Sequence, residues 1–274
     1  MHEFEVVIVD DGSADATSER IAQFQQQTRL RLRYVRQPNS GPARARNLGI
    51  TMLRTPICLF MGDDILASPD FVATHLRLHQ RRPEIRVAGL GLTQWSETGQ
   101  NVTKFMRWLD ASGMQFSYGD LLSGVQPDWR HFYTSNLSVK TELLKQYPFD
   151  EAFRYAATED MELGYRLQCR HGLELVFMTN AIAYHLHPTS FRAACRRMIK
   201  VGLTQQILFR RWPELRPASP TGFRKLFYDT LLRNRWLIPS LIFVSGGLTR
   251  IWCPNRLMRI TLNAHYMMGS SESV

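Results

Sequence analysis

Short apolar runs that end in acidic or glycine-rich turns recur through the first two-thirds of the chain. Val6-Val7-Ile8-Val9 is the first, stopped by Asp10-Asp11-Gly12-Ser13. Such a run suits a strand covered on both faces, and Ser13 offers a cap for a helix to about Gln27. Leu32 and Tyr34 alternate with Arg31, Arg33 and Arg36, as on a half-exposed strand. Pro38-Asn39-Ser40-Gly41-Pro42 predicts a turn, residues 43–53 a helix, and Ile57-Cys58-Leu59-Phe60-Met61 a second buried strand closed by Gly62-Asp63-Asp64. Ser68-Pro69 reads as a cap followed by proline at the first helical position, with a helix to about Arg82 and a strand over residues 86–94. Residues 98–129 are weakly periodic and predict irregular structure near a substrate. Thr158 precedes a helix over residues 159–170 that ends at Gly172, and residues 173–178 and 181–185 read as two short strands. The pattern turns helical from Arg192, with a proline-rich joint over 213–220. This rhythm predicts an α/β domain with a doubly wound, mostly parallel sheet.

Composition narrows the class. Hydrophobic residues at 44% and charged residues at 21% exclude a disordered chain, the polar tail 269–274 apart. Cys58, Cys169, Cys195 and Cys253 are scattered, with no C-x-x-C pair. That argues against a disulfide framework or zinc knuckle and predicts a reducing, cytoplasmic compartment. Met1-His2-Glu3 has neither the basic start nor the apolar stretch of a secretory signal.

The net charge of +10 is unevenly placed: fourteen Lys and Arg lie between Arg192 and Arg259, against Glu214 and Asp229 alone. The rest of the chain is therefore slightly acidic. Two parts are predicted, a sheet domain over 1–190 and a basic helical region over 191–274 with a partner of its own. Within the second part, residues 236–249 carry no charge and are bounded by Arg235 and Arg250. That stretch is shorter than the ~20 residues needed to span a bilayer. It suits an interfacial helix, with arginines on anionic headgroups and Trp236 and Trp252 at its edges, or a helical subdomain with a solvated basic face. No recognised nucleic-acid motif accompanies the charge, so no nucleic-acid partner is expected.

Ligands of parallel α/β sheets bind beyond the carboxyl ends of the strands, where Asp10/Asp11 and Asp63/Asp64 both fall. Adjacent carboxylates are unfavourable there unless a cation neutralises them. Asp63 and Asp64 are thus candidate oxygen ligands for Mn²⁺ or Mg²⁺ bridging a diphosphate. The plainer alternative is that they close a turn.

Three segments, Val9-Asp10-Asp11-Gly12-Ser13, Gly41-Pro42-Ala43-Arg44-Ala45-Arg46-Asn47-Leu48-Gly49-Ile50 and Phe60-Met61-Gly62-Asp63-Asp64, resemble the family 2 glycosyltransferases of the GT-A fold. Thr158-Glu159-Asp160 followed by Met161-Glu162-Leu163 fits the same family's acidic motif, and the order is kept over residues 4–187. The resemblance implies a Rossmann-like GT-A domain and a metal-dependent, inverting transfer of sugar from a nucleotide-diphospho-sugar, UDP-sugar first, to a glycan or lipid-linked acceptor hydroxyl. It further implies cell-envelope polysaccharide biosynthesis, and the basic C-terminal region suits a peripheral position on the inner face of the membrane.

Position by position, the resemblance makes Asp10 and Asp11 the carboxylates for uracil and ribose, with Ser13 in the same nucleotide-binding segment. Asp63 and Asp64 become the metal- and sugar-binding pair, with Asp64 the better direct ligand. Asp160 becomes the general base for the acceptor hydroxyl, and Glu159 orients the acceptor. A carboxylate beside the attacking hydroxyl and a cation on the departing diphosphate is the chemistry such a transfer needs. The alternative for Glu159 and Asp160 is that acids favour a helix's first turn.

His185, in Tyr184-His185-Leu186-His187, resembles the metal histidine of some GT-A enzymes. Strand alternation sends His185 and His187 to the same side, so both remain candidates. Arg46 stands at the nucleotide phosphates or on a solvated helix face. Asn136, in Thr134-Ser135-Asn136-Leu137-Ser138, resembles a segment lining the donor-sugar pocket. Trp95, Trp108 and Trp129 stack on sugar rings or fill core.

One departure from the family pattern is clear. The family opens with a strand of the type Val-Ser-Val-Val-Ile-Pro-x-Tyr-Asn, usually central in the sheet, and then a helix; both are absent here, and Met1-His2-Glu3-Phe4-Glu5 resembles the loop just before the second strand. Met1 is accordingly expected to be an internal methionine. The non-enzyme reading is an inactive nucleotide-sugar-binding remnant or scaffold. A sugar-1-phosphate nucleotidyltransferase would want a glycine- and lysine-rich phosphate loop, which the sequence does not show.

Overall fold

The computed structural model describes residues 4–218, 221–234, 237–249 and 254–271. The chain opens with strand β1 (Glu5–Asp10), helix α1 (Thr17–Gln27), strand β2 (Arg31–Arg36) and helix α2 (Pro42–Met52). Strands β3 (Ile57–Met61) and β4 (Ile65–Ala67), helix α3 (Phe71–Arg81) and strand β5 (Val87–Trp95) follow. Helices α4 (Lys104–Ala111) and α5 (Tyr118–Leu122) lead to strand β6 (Asn136–Lys140) and helix α6 (Thr141–Gln146). Helix α7 (Glu159–His171) and strand β7 (Glu174–His185) complete the sheets. Helices α8 (Phe191–Arg211), α9 (Gly222–Arg233), α10 (Leu237–Leu248) and α11 (Asn255–Ser271) form the remainder.

The α/β class expected from the sequence is the one found, but the strands form two ladders. β1 pairs in parallel with β2, from Glu5 opposite Arg31 to Asp10 opposite Arg36. A five-stranded sheet runs in the order β3-β6-β5-β7-β4. Its β5–β7 pairing is parallel, and its β3–β6, β5–β6 and β4–β7 pairings are antiparallel. Among the described residues β1 pairs only with β2 and β3 only with β6, so each keeps one open edge. The run Val6–Val9 is consequently half-buried rather than covered on both faces.

Several elements depart from the sequence expectation for identifiable reasons. Ser13 does not cap α1; its N–H donates to Asp10 Oδ1 (2.7 Å), and Asp15 Oδ1 accepts from Thr17 N (3.1 Å) at the helix start. The two short strands expected over 173–185 are one strand: Met178 stands opposite Gly91 and Ile182 opposite Leu92, so residues 179–181 form a bulge. Residues 98–129 contain α4, which presents Phe105, Met106 and Leu109 to the core and is capped by Thr103 accepting from Met106 N. β6 was unrecognisable because polar Asn136, Ser138 and Lys140 alternate with its apolar residues yet are buried too.

Those polar residues face α3. His75 Nδ1 lies 2.8 Å from Ser138 Oγ and its Nε2 2.9 Å from Asn136 Oδ1. His79 joins Ser138 Oγ at 2.9 Å and Lys140 Nζ at 2.8 Å. Burial pushes both histidines down to about 4, so they are neutral here. Gly91 makes room for the seam, since a Cβ there would fall 2.3 Å from Asn136 Oδ1.

The main core gathers Leu90, Leu137, Val139, Leu144, Leu163 and Leu167 between the sheet and its helices. A second cluster joins α4 to the C-terminal helices through Phe105, Leu109, Phe191, Cys195, Met258 and Leu262. α8 and α11 cross so closely that a Cβ on Gly202 would lie 2.1 Å from the Tyr266 carbonyl oxygen. No helix among the described residues is long and apolar enough to cross a membrane. Met1-His2-Glu3, Arg235, Trp236, Arg250, Trp252 and Cys253, which the sequence reading used, lie outside the described residues.

Candidate active site

The turn after β1 is built on its two aspartates. Buried Asp10 accepts from the Tyr34 hydroxyl (2.6 Å) and Ser13 N (2.7 Å), with Arg36 at 3.6 Å. The Tyr34 bond first, then the Ser13 N–H and Arg36, holds its carboxyl down to about 2. Asp11 accepts from Gln37 Nε2 (2.7 Å) and Ser40 N (2.8 Å) on one oxygen and from Gly41 N (2.8 Å) on the other. This binds the 37–41 turn at the start of α2 to the end of β1. Gly12 (φ 82°) and Gly41 (φ 93°) sit in the left-handed region that this close turn requires.

After β3 the chain reverses through Gly62-Asp63-Asp64 into β4. A Cβ on Gly62 would come 3.0 Å from Asp64 Oδ1, so the glycine lets the Asp64 carboxylate fold back over its own turn. Asp63 is exposed on the same turn. β4 pairs Ile65 with His185, and Asp64 O accepts from Leu186 N (2.7 Å), which brings the end of β7 against the aspartate. Asp64 Oδ2 lies 3.0 Å from His185 Nε2 and 3.3 Å from His187 Nδ1. The structure thus brings together Asp64 and both histidines that the sequence left as alternatives.

Partial burial pulls the Asp64 carboxyl up, but the His185 hydrogen bond and the charges of His185 and His187 together hold it below its ordinary value. One donor atom from each of the three residues fits within 4.8 Å of the others. An octahedral ion with bonds of about 2.1 Å spaces adjacent donors by about 3 Å, so the two contacts to Asp64 match such a cage. Two imidazoles with one carboxylate suit Mn²⁺ better than Mg²⁺, which prefers oxygen.

The acidic motif opens α7, where Glu159, Asp160 and Glu162 share the first turn and its favourable dipole. Arg46 reaches from α2 to Glu159 at 2.6 Å, and Glu159 also accepts from Ala157 N (2.8 Å). The guanidinium expected at the phosphates is therefore engaged with Glu159. Asp160 accepts from Met161 N (2.8 Å) and faces Thr134 N (3.5 Å). Burial first, then the neighbouring Glu159 charge, raises its carboxyl to about 7 against the opposing pull of Arg46. A carboxylate at that value can hold or release a proton near neutral pH.

Asn136 is fully buried, and its amide donates to the Ala181 carbonyl (2.9 Å) while accepting from the His75 seam. Trp95 stacks on His185 with centroids 4.9 Å apart and planes 10° apart, and its indole N–H donates to the Met106 carbonyl. Trp108 packs on Phe105 and Trp129 on Tyr165. A cavity of ≈440 Å³ lies elsewhere, at the amino ends of β1 and β2, bordered by Phe4, Glu5, Arg31, Arg33 and Thr55. The Arg46–Glu159 pair and Gln115 beside His185 escaped the sequence reading, because both join positions far apart in the chain.

The α/β domain with acidic turns after β1 and β3 has the layout that the sequence led us to expect of a GT-A domain. The sequence profile of glycosyl transferase family 2 matches residues 2–145, and the chain belongs to that family. Among its relatives is an uncharacterised glycosyltransferase, YfnE, of Bacillus subtilis, 27% identical over 234 residues, 70% of this chain and 59% of the relative. Another is validoxylamine A glucosyltransferase of Streptomyces hygroscopicus subsp. jinggangensis, 28% identical over 208 residues, 64% of this chain and 46% of the relative. The chain thus spans roughly half the length of these curated relatives.

Solved structures share the fold. Staphylococcus aureus TarS 1-349 superposes with a TM-score of 0.50 at 14% identity, covering 98% of this chain and 81% of that one. GalNAc-T7, solved with UDP, GalNAc and Mn²⁺, gives 0.51 at 12% identity, covering 86% and 51%.

Proposed function

We propose that the chain catalyses a metal-dependent, inverting transfer of a sugar from a nucleotide-diphospho-sugar, UDP-sugar first, to a hydroxyl of a glycan or lipid-linked acceptor. The observation that carries this reading is the convergence of Asp64, His185 and His187 on one point. The UDP and Mn²⁺ of GalNAc-T7 and the glucosyl transfer in the name of a relative support it. Asp64, His185 and His187 would hold Mn²⁺, with Asp63 on the adjoining turn toward the donor. When bound, the ion neutralises charge on the diphosphate leaving group. Asp10, Asp11 and Ser13 shape the loop that receives the nucleoside.

Asp160 takes the proton of the acceptor hydroxyl as its oxygen bonds to the anomeric carbon, and the bond to the nucleoside diphosphate breaks with its electron pair. Glu159, fixed by Arg46, holds the entry of α7 so that Asp160 faces the acceptor. Calorimetry of UDP on this chain tests the reading: affinity is expected to rise at least ~10-fold with Mn²⁺, in line with one strong charge-assisted contact. Binding with no dependence on Mn²⁺ would overturn it. The inactive-scaffold reading predicts the same binding without turnover, so release of UDP in an acceptor assay separates the two.

The C-terminal helices suit the surface that bears the acceptor, and we place the protein in the cytoplasm against the inner face of the membrane. On α10 the outward stripe Ser240, Phe243, Val244 and Gly247 is exposed, Phe243 by 82%. Phe243 and Val244 give that face an exposed apolar patch, within a region rich in Lys and Arg. Co-sedimentation with anionic vesicles is expected and should weaken at high salt and in Phe243→Asp. Equal recovery on neutral vesicles would count against this placement.

A further inference from the structure

The second nitrogen of His185 is the most informative unassigned contact around the cluster. Its Nε2 edge faces Asp64 Oδ2 at 3.0 Å, and its Nδ1 edge faces Gln115 Nε2 at 3.4 Å. Gln115 comes from the segment between α4 and α5, far from either strand that carries the cluster. The ring has little freedom otherwise. Trp95 lies flat against it, and the His185 carbonyl accepts from Ser96 N (3.0 Å) and Gln100 Nε2 (2.6 Å). A cavity of about 10 Å³, bordered by Trp95, Gln115, Phe116 and His185, leaves space beside the amide for about one water.

These contacts give each ring nitrogen one partner. Nε2 faces the Asp64 carboxylate, and Nδ1 faces the Gln115 amide, which can donate to it or accept from it. Ligation of a cation through Nε2 requires that nitrogen to carry no hydrogen. The hydrogen must then be on Nδ1, and whatever faces Nδ1 must accept it. A glutamine can do so, because a half-turn of its amide exchanges the NH₂ group for the carbonyl oxygen. Leucine or methionine cannot, and an ionised glutamate can.

We propose that Gln115 is a positioning residue for His185, turning its amide so that the carbonyl oxygen accepts from Nδ1–H when a divalent cation takes Nε2. The inference rests on the metal reading of Asp64, His185 and His187.

The test is Mn²⁺ binding by the full chain, followed through loss of the free-ion electron paramagnetic resonance signal, with no nucleotide present. Gln115→Leu is expected to weaken Mn²⁺ by about 10–100-fold, the range typical of lost outer-shell partners, and Gln115→Glu to bind at least as tightly as the parent. That order is not the one a merely space-filling role would give, since Leu and Glu are both close to Gln in size. Gln115→Met provides the same comparison if the Leu variant does not unfold cooperatively. Leu and Met variants within about threefold of the parent, or a Glu variant as weak as Leu, would overturn the proposal while leaving the metal site standing. A parent that takes up no Mn²⁺, or a His185→Ala variant that binds as well as the parent, would remove the metal reading and the proposal with it.

Discussion

Asp160→Asn is expected to be at once inactive and more stable than the parent. The carboxyl is raised to about 7 by burial and by the Glu159 charge beside it, so the fold disfavours its ionised form. A group whose value is raised on folding contributes stability in full below its unfolded value. That contribution is lost as pH climbs through the folded one. For Asp160 the window runs from about 4 to 7. Asparagine keeps an acceptor for Met161 N and carries no charge. The variant should therefore melt above the parent at pH 8 and approach it near pH 4. Three pKa units set a ceiling of about 4 kcal/mol, and the Arg46–Glu159 pair, which stays in place, makes the gain smaller. Sugar transfer should fall by roughly 10²–10⁴-fold, the range for loss of a positioned base, with UDP affinity unchanged. In the parent, the rate should drop as pH falls below about 7. A melting point lower than the parent's at pH 8, or retained transfer, would contradict the assignment of Asp160 as the base.

How much of this site was legible in the chain depends on which residues build it. The acidic turns were legible because each follows an apolar run, and a carboxylate at a strand's end needs a partner wherever it lies. Pairing was not. The Asp11 carboxylate accepts from Gln37, Ser40 and Gly41, and Arg46 closes on Glu159, 113 positions away. No local pattern separates those roles from contact with a nucleotide. β6 hid for a related reason: the face it turns to α3 is Asn136, Ser138 and Lys140, whose partners His75 and His79 lie on a different element. Periodicity detects apolar faces, and this face is polar and satisfied within the fold. The bulge in β7 misled in the opposite direction, since residues 179–180, which lie outside the ladder, read as a break between two strands.

The choice between His185 and His187 was open for a reason that geometry resolves into a ranking. Alternation puts both on one side, and both reach Asp64, but they are not equivalent. His185 is 11% exposed in its side chain and wedged by Trp95 and Gln115, whereas His187 is 58% exposed. A buried, oriented ligand loses less conformational freedom on binding than a free one. Asp64 is the point both share, so Asp64→Ala removes the one anionic donor and leaves two imidazoles with nothing between them. Mn²⁺ uptake should be lost. Transfer should fall by at least about 10²–10³-fold, as for removal of one strong electrostatic contact to the leaving group. His185→Ala should fall nearly as far, and His187→Ala least. Raising Mn²⁺ should recover His187→Ala before His185→Ala and should not recover Asp64→Ala, because added ion compensates for weakened affinity but not for a missing charge. Mg²⁺ should support the parent less well than Mn²⁺ at equal concentration, given two nitrogen donors out of three. Should Asp64→Ala retain Mn²⁺-dependent transfer, the cation would have to be held elsewhere, with Asp64 left to pair the histidines and close the β3–β4 turn.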